Sequence, residues 1–378
     1  MHDSNNYVHY NYDENGGKRG MSVGAWIAIG IVAVLLLLVI GYVVYVLTAY
    51  HRIGDMTLAA ENNAKPAEFA AVQKDTAYSV MSYNIGFGAY EADFGFFMDG
   101  GTESWAWSEA RLMDNLAQIG ELLRTTDADF YLLQEVDRDS TRSYHVDELN
   151  LLSMYLGDRA TIWAQNYDSP FLFYPFTQPH GKSVSGITTA SRYLIHDCQR
   201  IEVPIEDSLM KLVDLDRCYS RCRLDVAGGG EMVLYNLHLS AYTSDGVVAV
   251  EQLELLIADM ASEAAKGNYV VCGGDFNKDL LGDSSEYFGV SGEDYTWAQP
   301  LPEGIFDGTG LQLVAPLDEN NPVPTCRNAD GPYNPDQFVL TIDGFIVSEN
   351  VEVVESAVVD TAFAYSDHNP VTMTFKLK

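Results

Sequence analysis

The chain has 378 residues, 47% of them hydrophobic, enough for a sizeable core in one large domain. Its 54 acidic and 22 basic residues give a net charge of −32, which disfavours nonspecific nucleic-acid binding of the basic-patch kind, although a bound divalent cation would reverse the sign locally. The five cysteines (Cys198, Cys218, Cys222, Cys272 and Cys326) form no Cys-x-x-Cys pair and no Cys/His zinc pattern.

Residues 1–22 are polar and read as a tail. Residues 23–50 carry no charge. As a helix they would extend about 40 Å, more than the roughly 30 Å of a bilayer's hydrocarbon core. Trp26 near one end, and Tyr45 and Tyr50 near the other, suit interfacial anchoring. No Ala-x-Ala site closes the run, so it is predicted to be an uncleaved, single-pass transmembrane anchor; cleavage after the small residues Thr48 and Ala49 is the alternative. Lys18 and Arg19 on one side against His51 and Arg52 on the other lean only slightly toward an extracytoplasmic domain. Residues 51–76, rich in Ala, Asn and Glu, read as a linker with one helical turn, and a single domain is expected over residues 77–378.

Within that domain Ala77 to Asn84 predicts the first strand, and the Gly- and Phe-rich stretch from Gly86 to Gly101 a loop near a site. Apolar residues at Leu112, Leu116, Ile119 and Leu123 follow the helical period, and Phe130 to Gln134 is the next strand. Arg138, Arg142 and Tyr144 are placed to face an anion or to pair with neighbouring acids in a solvated loop. The aromatic run Phe171 to Phe176 is read as core, because aromatic residues at that density are mostly buried. Tyr219 to Val226 and Met232 to Leu239 read as a hairpin across Gly228, Gly229 and Gly230, and Cys198 is placed to reach Cys218 or Cys222 across a hairpin. Val247 to Ala265 is an amphipathic helix stopped by Gly267. Leu280 to Pro335, acidic and rich in Gly and Pro, reads as an insertion, and strands from Phe338 to Val347 and Val371 to Leu377 close the fold. No internal repeat is present.

The organising stretch is Val270 to Asp279, V-V-C-G-G-D-F-N-K-D: an apolar strand ends in two glycines, and Asp275 and Asn277 follow with side chains on the same side of extended chain. Asn84, Glu135, His238 and Asp343 likewise sit at ends of apolar, strand-like runs, and Ser366-Asp367-His368-Asn369-Pro370 precedes the last strand. Residues so placed can converge on one sheet edge.

The series S-Y-N, Q-E-V-D, N-L-H-L, G-G-D-F-N, I-D-G-F and S-D-H-N-P-V resembles the endonuclease/exonuclease/phosphatase superfamily over roughly Ala77 to Lys378. That group includes enzymes similar to pancreatic-type deoxyribonucleases, abasic-site endonucleases, neutral sphingomyelinases and inositol polyphosphate 5-phosphatases. The resemblance implies an α/β (α+β) fold, a four-layer sandwich of two packed mixed β-sheets flanked by helices. It also implies a phosphoester hydrolase using Mg2+ or Mn2+, since oxygen ligands without thiolates select a hard ion.

By the same resemblance Glu135 is the main metal ligand, with Asn84 and Asp367 holding the ion or its waters. Asp275 and Asn277 orient water and phosphate. His368 is a general base or phosphate contact whose tautomer Asp343 fixes, and His238 donates to a phosphate oxygen. The expected substrate is a phosphodiester or phosphomonoester of a lipid or small molecule, with the membrane engaged through the N-terminal helix and no protein partner singled out. An extracellular DNA or RNA nuclease is the alternative enzyme, and a non-catalytic membrane-tethered binding module the alternative of another class.

Overall fold

The computed structural model describes residues 21–206, 215–241, 247–290 and 298–378. The predicted polar tail lies outside them, apart from its last two residues. The chain divides into two compact units between Thr48 and Ala49. Helix α1 (Val23–Ala49), in the first unit but for its last residue, begins after Ser22, whose Oγ accepts from the Ala25 N–H at 3.2 Å. None of its residues is buried against protein, and it is long and apolar enough to cross a membrane.

The second unit runs through β1 (Met56–Thr57), β2 (Ala77–Asn84), α2 (Glu109–Thr126), β3 (Phe130–Asp137), α3 (Glu148–Leu156), β4 (Ala160–Asp168), β5 (Val184–Ser191), β6 (Asp197–Glu202) and β7 (Cys218–Asp225). It continues with β8 (Glu231–His238), α4 (Val247–Ala265), β9 (Tyr269–Asp275), α5 (Ser285–Phe288), β10 (Leu311–Val314), β11 (Cys326–Arg327), β12 (Val339–Leu340), β13 (Asp343–Ser348), β14 (Val351–Val358) and β15 (Val371–Leu377). A six-stranded sheet has the order β14-β15-β2-β3-β5-β4, and a seven-stranded sheet the order β1-β6-β7-β8-β9-β13-β10. Each contains one parallel pair, β2/β3 in the first and β8/β9 in the second, so both sheets are mixed.

Alternation along the strands explains the layering. Val80, Phe130 and Leu132 of one sheet meet Leu234, Val271 and Phe345 of the other in the central core. Their neighbours Met81, Tyr131 and Leu133 face outward and are covered by Leu112 and Leu116 of α2 and Leu152 and Leu156 of α3. On the far side Val233, Tyr235 and Val270 pack against Leu253, Leu256 and Met260 of α4. Helix α2 forms where its apolar spacing predicts, capped by Ser108, which accepts from the Arg111 N–H at 3.2 Å. The result is the four-layer sandwich expected from the motifs.

Two glycines set the spacing at the end of β9. A Cβ on Gly273 would lie 2.8 Å from both Leu132 and the Phe345 ring, between the two sheets. On Gly274, with φ of 154°, it would lie 2.2 Å from the carbonyl oxygen of Leu237 on β8. Backbone cannot yield as a side-chain tip can, so Gly274→Ala is expected to cost about 3 kcal/mol of stability. Urea denaturation followed by circular dichroism checks this; an unchanged midpoint would show that β8 and β9 separate without strain.

Residues 51–76 depart from the linker reading, because they are stitched to the domain. Ile53 and Val72 are buried, and the Ile53 N–H donates to the carboxylate of Asp216. The fully buried Arg200 on β6 donates to the carbonyls of Ile53, at 2.6 Å, and Gly54, at 3.1 Å. β1 pairs with β6, the Val72 N–H donates to the Asp225 carbonyl at 2.8 Å, and Ala67–Phe69 supplies one 3-10 turn. Too few apolar residues lie in this stretch to make a periodic signal, yet Ile53 and Val72 are buried and Leu58 and Ala60 partly so.

Cys198 pairs with Cys222, its register partner across β6/β7, and the free thiols among the described residues, Cys218, Cys272 and Cys326, are buried. The predicted insertion from Leu280 to Pro335 holds α5, β10 and β11, and residues 291–297 of it lie outside the described residues.

Candidate active site

The carboxyl ends of the two parallel pairs and the amino ends of β13 and β15 meet at one edge of the sandwich. Asn84 ends β2, His238 ends β8, and Asp275 ends β9. Glu135 lies in β3 where the register with β5 slips between Leu133 and Val136, with φ of 54°. That β-bulge takes one residue out of the ladder at the site, the placement such irregularities commonly serve. Asp343 opens β13 opposite Asp275, and Asp367 and His368 precede β15.

Asp275 is the common partner. Its Oδ2 accepts from Asn84 Nδ2 at 3.1 Å and lies 3.4 Å from His238 Nε2 and 3.8 Å from His368 Nε2. Its Oδ1 accepts from the Asn277 N–H at 2.9 Å, while the Asn277 side chain donates to the Leu239 carbonyl at 2.7 Å. Asn84 Nδ2 also lies 3.3 Å from Glu135 Oε1, and its Oδ1 accepts from the Gly86 N–H at 3.0 Å. Ser366 Oγ donates to the Asn84 carbonyl at 2.8 Å and so ties the Asp367-His368 segment to the end of β2. His368 Nδ1 is 2.8 Å from Asp343 Oδ2.

The structure therefore brings together all eight residues singled out by the sequence, but one of the routes differs. The strand-end residues, Asp343 and His368 among them, are expected from the sequence to converge on one sheet edge. β13 belongs to the seven-stranded sheet and β15 to the six-stranded one, so the pair spans the two sheets. Asp343 also begins its strand rather than ending one, because the chain leaves extended pairing at Thr341 and Ile342.

A cavity of about 150 Å3 opens at this edge, lined by Glu135, His238, Asp275, Asn277, Asp367 and His368. Arg142, Arg217, His180, Tyr90 and Met98 line it as well. Of the three residues expected to face an anion, Arg142 alone reaches the cavity. Its guanidinium forms a buried fork with Asp137, at 2.9 and 3.0 Å, and sits 3.9 Å from the centre of the Phe87 ring. Arg138 instead pairs with Asp147 at 3.0 Å, and the Tyr144 hydroxyl donates to the Ala106 carbonyl at 3.1 Å. Arg217 and His180 carried no spacing signal; they come from segments that approach the cavity only in the folded chain.

Burial raises the Asp275 carboxyl to about 7, with Asp343 adding to the rise and His368 opposing it. Burial also lifts Asp367 above the usual carboxylate range. It holds His238 well below the ordinary imidazole value, helped by the positive charge of Arg217. For His368, burial pulls downward, but the carboxylate of Asp343 outweighs it and holds the imidazole well above its ordinary value. His238 is thus neutral and His368 protonated at neutral pH.

The donor set fits a hard divalent cation. Glu135 and Asp367 line the cavity with carboxylate oxygens, the ligand type such an ion takes, and Asn84 Nδ2 lies 3.3 Å from the Glu135 carboxylate. Ligand atoms of Asp275, Asp343 and His368 also lie within 4.8 Å of one another. In that trio His368 Nδ1 is already engaged by Asp343 Oδ2, which leaves the Glu135 side of Asp275 as the better place for an ion.

A two-sheet sandwich with a buried cluster of carboxylates, amides and histidines at the carboxyl ends of its parallel strands defines a class of phosphoester-cleaving proteins. The chain matches the Endonuclease/Exonuclease/phosphatase family over residues 81–368 and belongs to it. The family's name spans nucleases and phosphatases, enzymes that hydrolyse phosphoesters. Among solved structures, the endonuclease/exonuclease/phosphatase from Beutenbergia cavernae DSM 12333 is similar with 20% identity and a TM-score of 0.55, over 80% of this chain and 72% of that one. ANGEL2, a 2′,3′-cyclic phosphatase solved with adenosine-2′,3′-vanadate, has 17% identity and a TM-score of 0.54, over 80% of this chain and 96% of that one. A family protein from Leptotrichia buccalis C-1013-b has 15% identity and a TM-score of 0.51, over 79% of this chain and 100% of that one. These are likenesses of fold. No curated protein sequence matches the chain at a significant level.

Proposed function

We propose that the protein is a membrane-anchored, divalent-metal-dependent phosphohydrolase acting on a phosphodiester or phosphomonoester of a lipid or small molecule. The observation that carries this reading is Asp275, buried at the meeting point of Asn84, Asn277, His238 and His368 beside Glu135 and Asp367. Glu135, with Asn84 and Asp367, would hold Mg2+ or Mn2+, which when bound neutralises phosphate charge.

The remaining chemistry belongs to the side chains. Asp275, with a carboxyl near 7, is matched to accepting a proton from the attacking water at neutral pH, and Asn277 fixes its orientation. His238, neutral, donates its ring N–H to a phosphate oxygen. His368, kept protonated by Asp343, offers a charged hydrogen bond to the phosphate or the leaving oxygen. The acidic surface supports a small or lipid substrate over a polyanion, since fold alone does not choose among phosphoesters.

The test is a screen of the full chain in detergent, with Mg2+ or with a chelator, against DNA, RNA, sphingomyelin, phosphoinositides and bis(p-nitrophenyl) phosphate. Metal-dependent turnover of a lipid or small phosphoester supports the reading. Turnover of nucleic acid alone would replace it with the nuclease, and no turnover of any substrate with a binding module.

The helix α1 supports anchoring, and the Cys198–Cys222 disulfide supports an oxidising, extracytoplasmic compartment for the domain. The protein is accordingly expected to stay with membranes through a carbonate wash and to be digested when protease is applied to intact cells. Release by carbonate would overturn the anchor; full protection of the domain would overturn its placement.

A further inference from the structure

The run Phe171 to Phe176, expected in the core, is on the surface. Phe173 is 54% exposed, Tyr174 62% and Phe176 83%, and neighbouring Met98 is 50% exposed. Large apolar side chains so close together are not left in water without a use.

The segment that carries them is held in shape. Leu172 and Gly181 exchange two backbone hydrogen bonds of 3.0 Å and close a hairpin. Ser104 Oγ donates to the Gln178 carbonyl at 2.6 Å, and the Trp105 indole donates to the Pro179 carbonyl at 2.7 Å. Gly181 is packed so tightly that a Cβ there would lie 2.4 Å from Thr141. The aromatic tip is thus presented by a braced element.

The hairpin is also continuous with the active-site cavity. His180, at its base, lines the cavity, as do Met98 and Phe96. Its ring lies 5.8 Å from those of both Phe96 and Phe97, Phe97 lies 5.9 Å from Tyr174, and Tyr174 lies 5.9 Å from Phe176. An apolar ledge therefore leads from the phosphoester site to the hairpin tip. In a chain with 54 acidic residues, none falls between Ser169 and Ser183, and Lys182 lies among them.

We infer that this hairpin docks on a lipid surface, seating the headgroup phosphoester of an amphiphilic substrate in the cavity while its apolar part lies along the Met98–Phe97–Tyr174–Phe176 ledge. This deepens the reading of the site as a phosphohydrolase and rests on it. Aromatic residues prefer the bilayer interface. Bases could stack on the same rings, but the net charge of −32 opposes a nucleic acid. That charge also opposes strongly anionic lipids, so a zwitterionic surface fits best.

The test uses the full chain in phosphatidylcholine nanodiscs. A nitroxide attached through Phe176→Cys reports on docking without any turnover, and the native free thiols among the described residues are buried and spared. The label is expected to favour collisions with oxygen over those with a water-soluble nickel complex about tenfold more than a label at exposed Met154→Cys. Equal behaviour at the two positions would overturn the proposal. In parallel, Phe173→Ser/Tyr174→Ser/Phe176→Ser is expected to keep the wild-type rate on bis(p-nitrophenyl) phosphate and to lose at least about tenfold on vesicle-borne sphingomyelin or phosphoinositide, whichever the wild type cleaves. Equal rates on the lipid, or loss of oligonucleotide binding with a water-exposed label, would also overturn it. If the wild type fails on bis(p-nitrophenyl) phosphate and lipid alike, the hydrolase reading falls, while the label still decides docking.

Discussion

Glu135→Gln is expected to lower kcat/KM about a thousandfold, or about 4 kcal/mol, while leaving the fold intact. The substitution keeps the volume and one oxygen but removes the charge that would face a cation. Glu135 sits in a bulge with φ of 54°, and its Oε1 lies 3.3 Å from Asn84 Nδ2, so the backbone and not the carboxylate charge holds it in place. Thermal unfolding should therefore shift little, and calorimetric titration with Mg2+ should lose most of its heat. Wild-type turnover at saturating Mg2+ would remove Glu135 from the site.

The second large effect concerns His368 and Asp343. The 2.8 Å contact across the two sheets is what keeps His368 protonated against its burial. Asp343→Asn retains an acceptor but loses that charge, so the imidazole should titrate at lower pH and turnover should fall about a hundredfold. His368→Ala should cost about a thousandfold. Because the two act through one hydrogen bond, adding Asp343→Asn to His368→Ala should cost no more than about threefold further. A double-mutant cycle with metal affinity measured in each variant checks this, and nuclear magnetic resonance of the His368 ring follows the titration directly. Fully additive losses would separate the two residues and leave Asp275 to act without the dyad's help.

Much of the site was legible because each residue closes or opens an apolar run. Asn84, His238 and Asp275 end strands where hydrophobic alternation stops, and that pattern is visible without a structure. The partnership of Asp343 and His368 was legible as well, but not its route, since sequence periodicity does not say which sheet a strand joins. Phe171 to Phe176 misled for a related reason. Aromatic density signals burial only when neighbouring elements cover it, and here a braced hairpin lifts the rings away from the core. Arg217 and His180 belong to irregular segments, where neither period nor capping marks a residue that will face a cavity.

The packing of residues 51–76 bears on how the membrane-anchored enzyme proposed above would be set free. Many tethered ectodomains are shed by cutting a slack stalk, but this chain offers no stalk after Arg52. Ile53 is clamped by Arg200, Met56 and Thr57 pair with β6, and Val72 fills the core between the sheets. A cut among them would unzip an edge strand and open a hole, so a soluble, intact product requires scission on the helix side of Arg52. Shedding and inactivation are thereby separated by a few residues of chain.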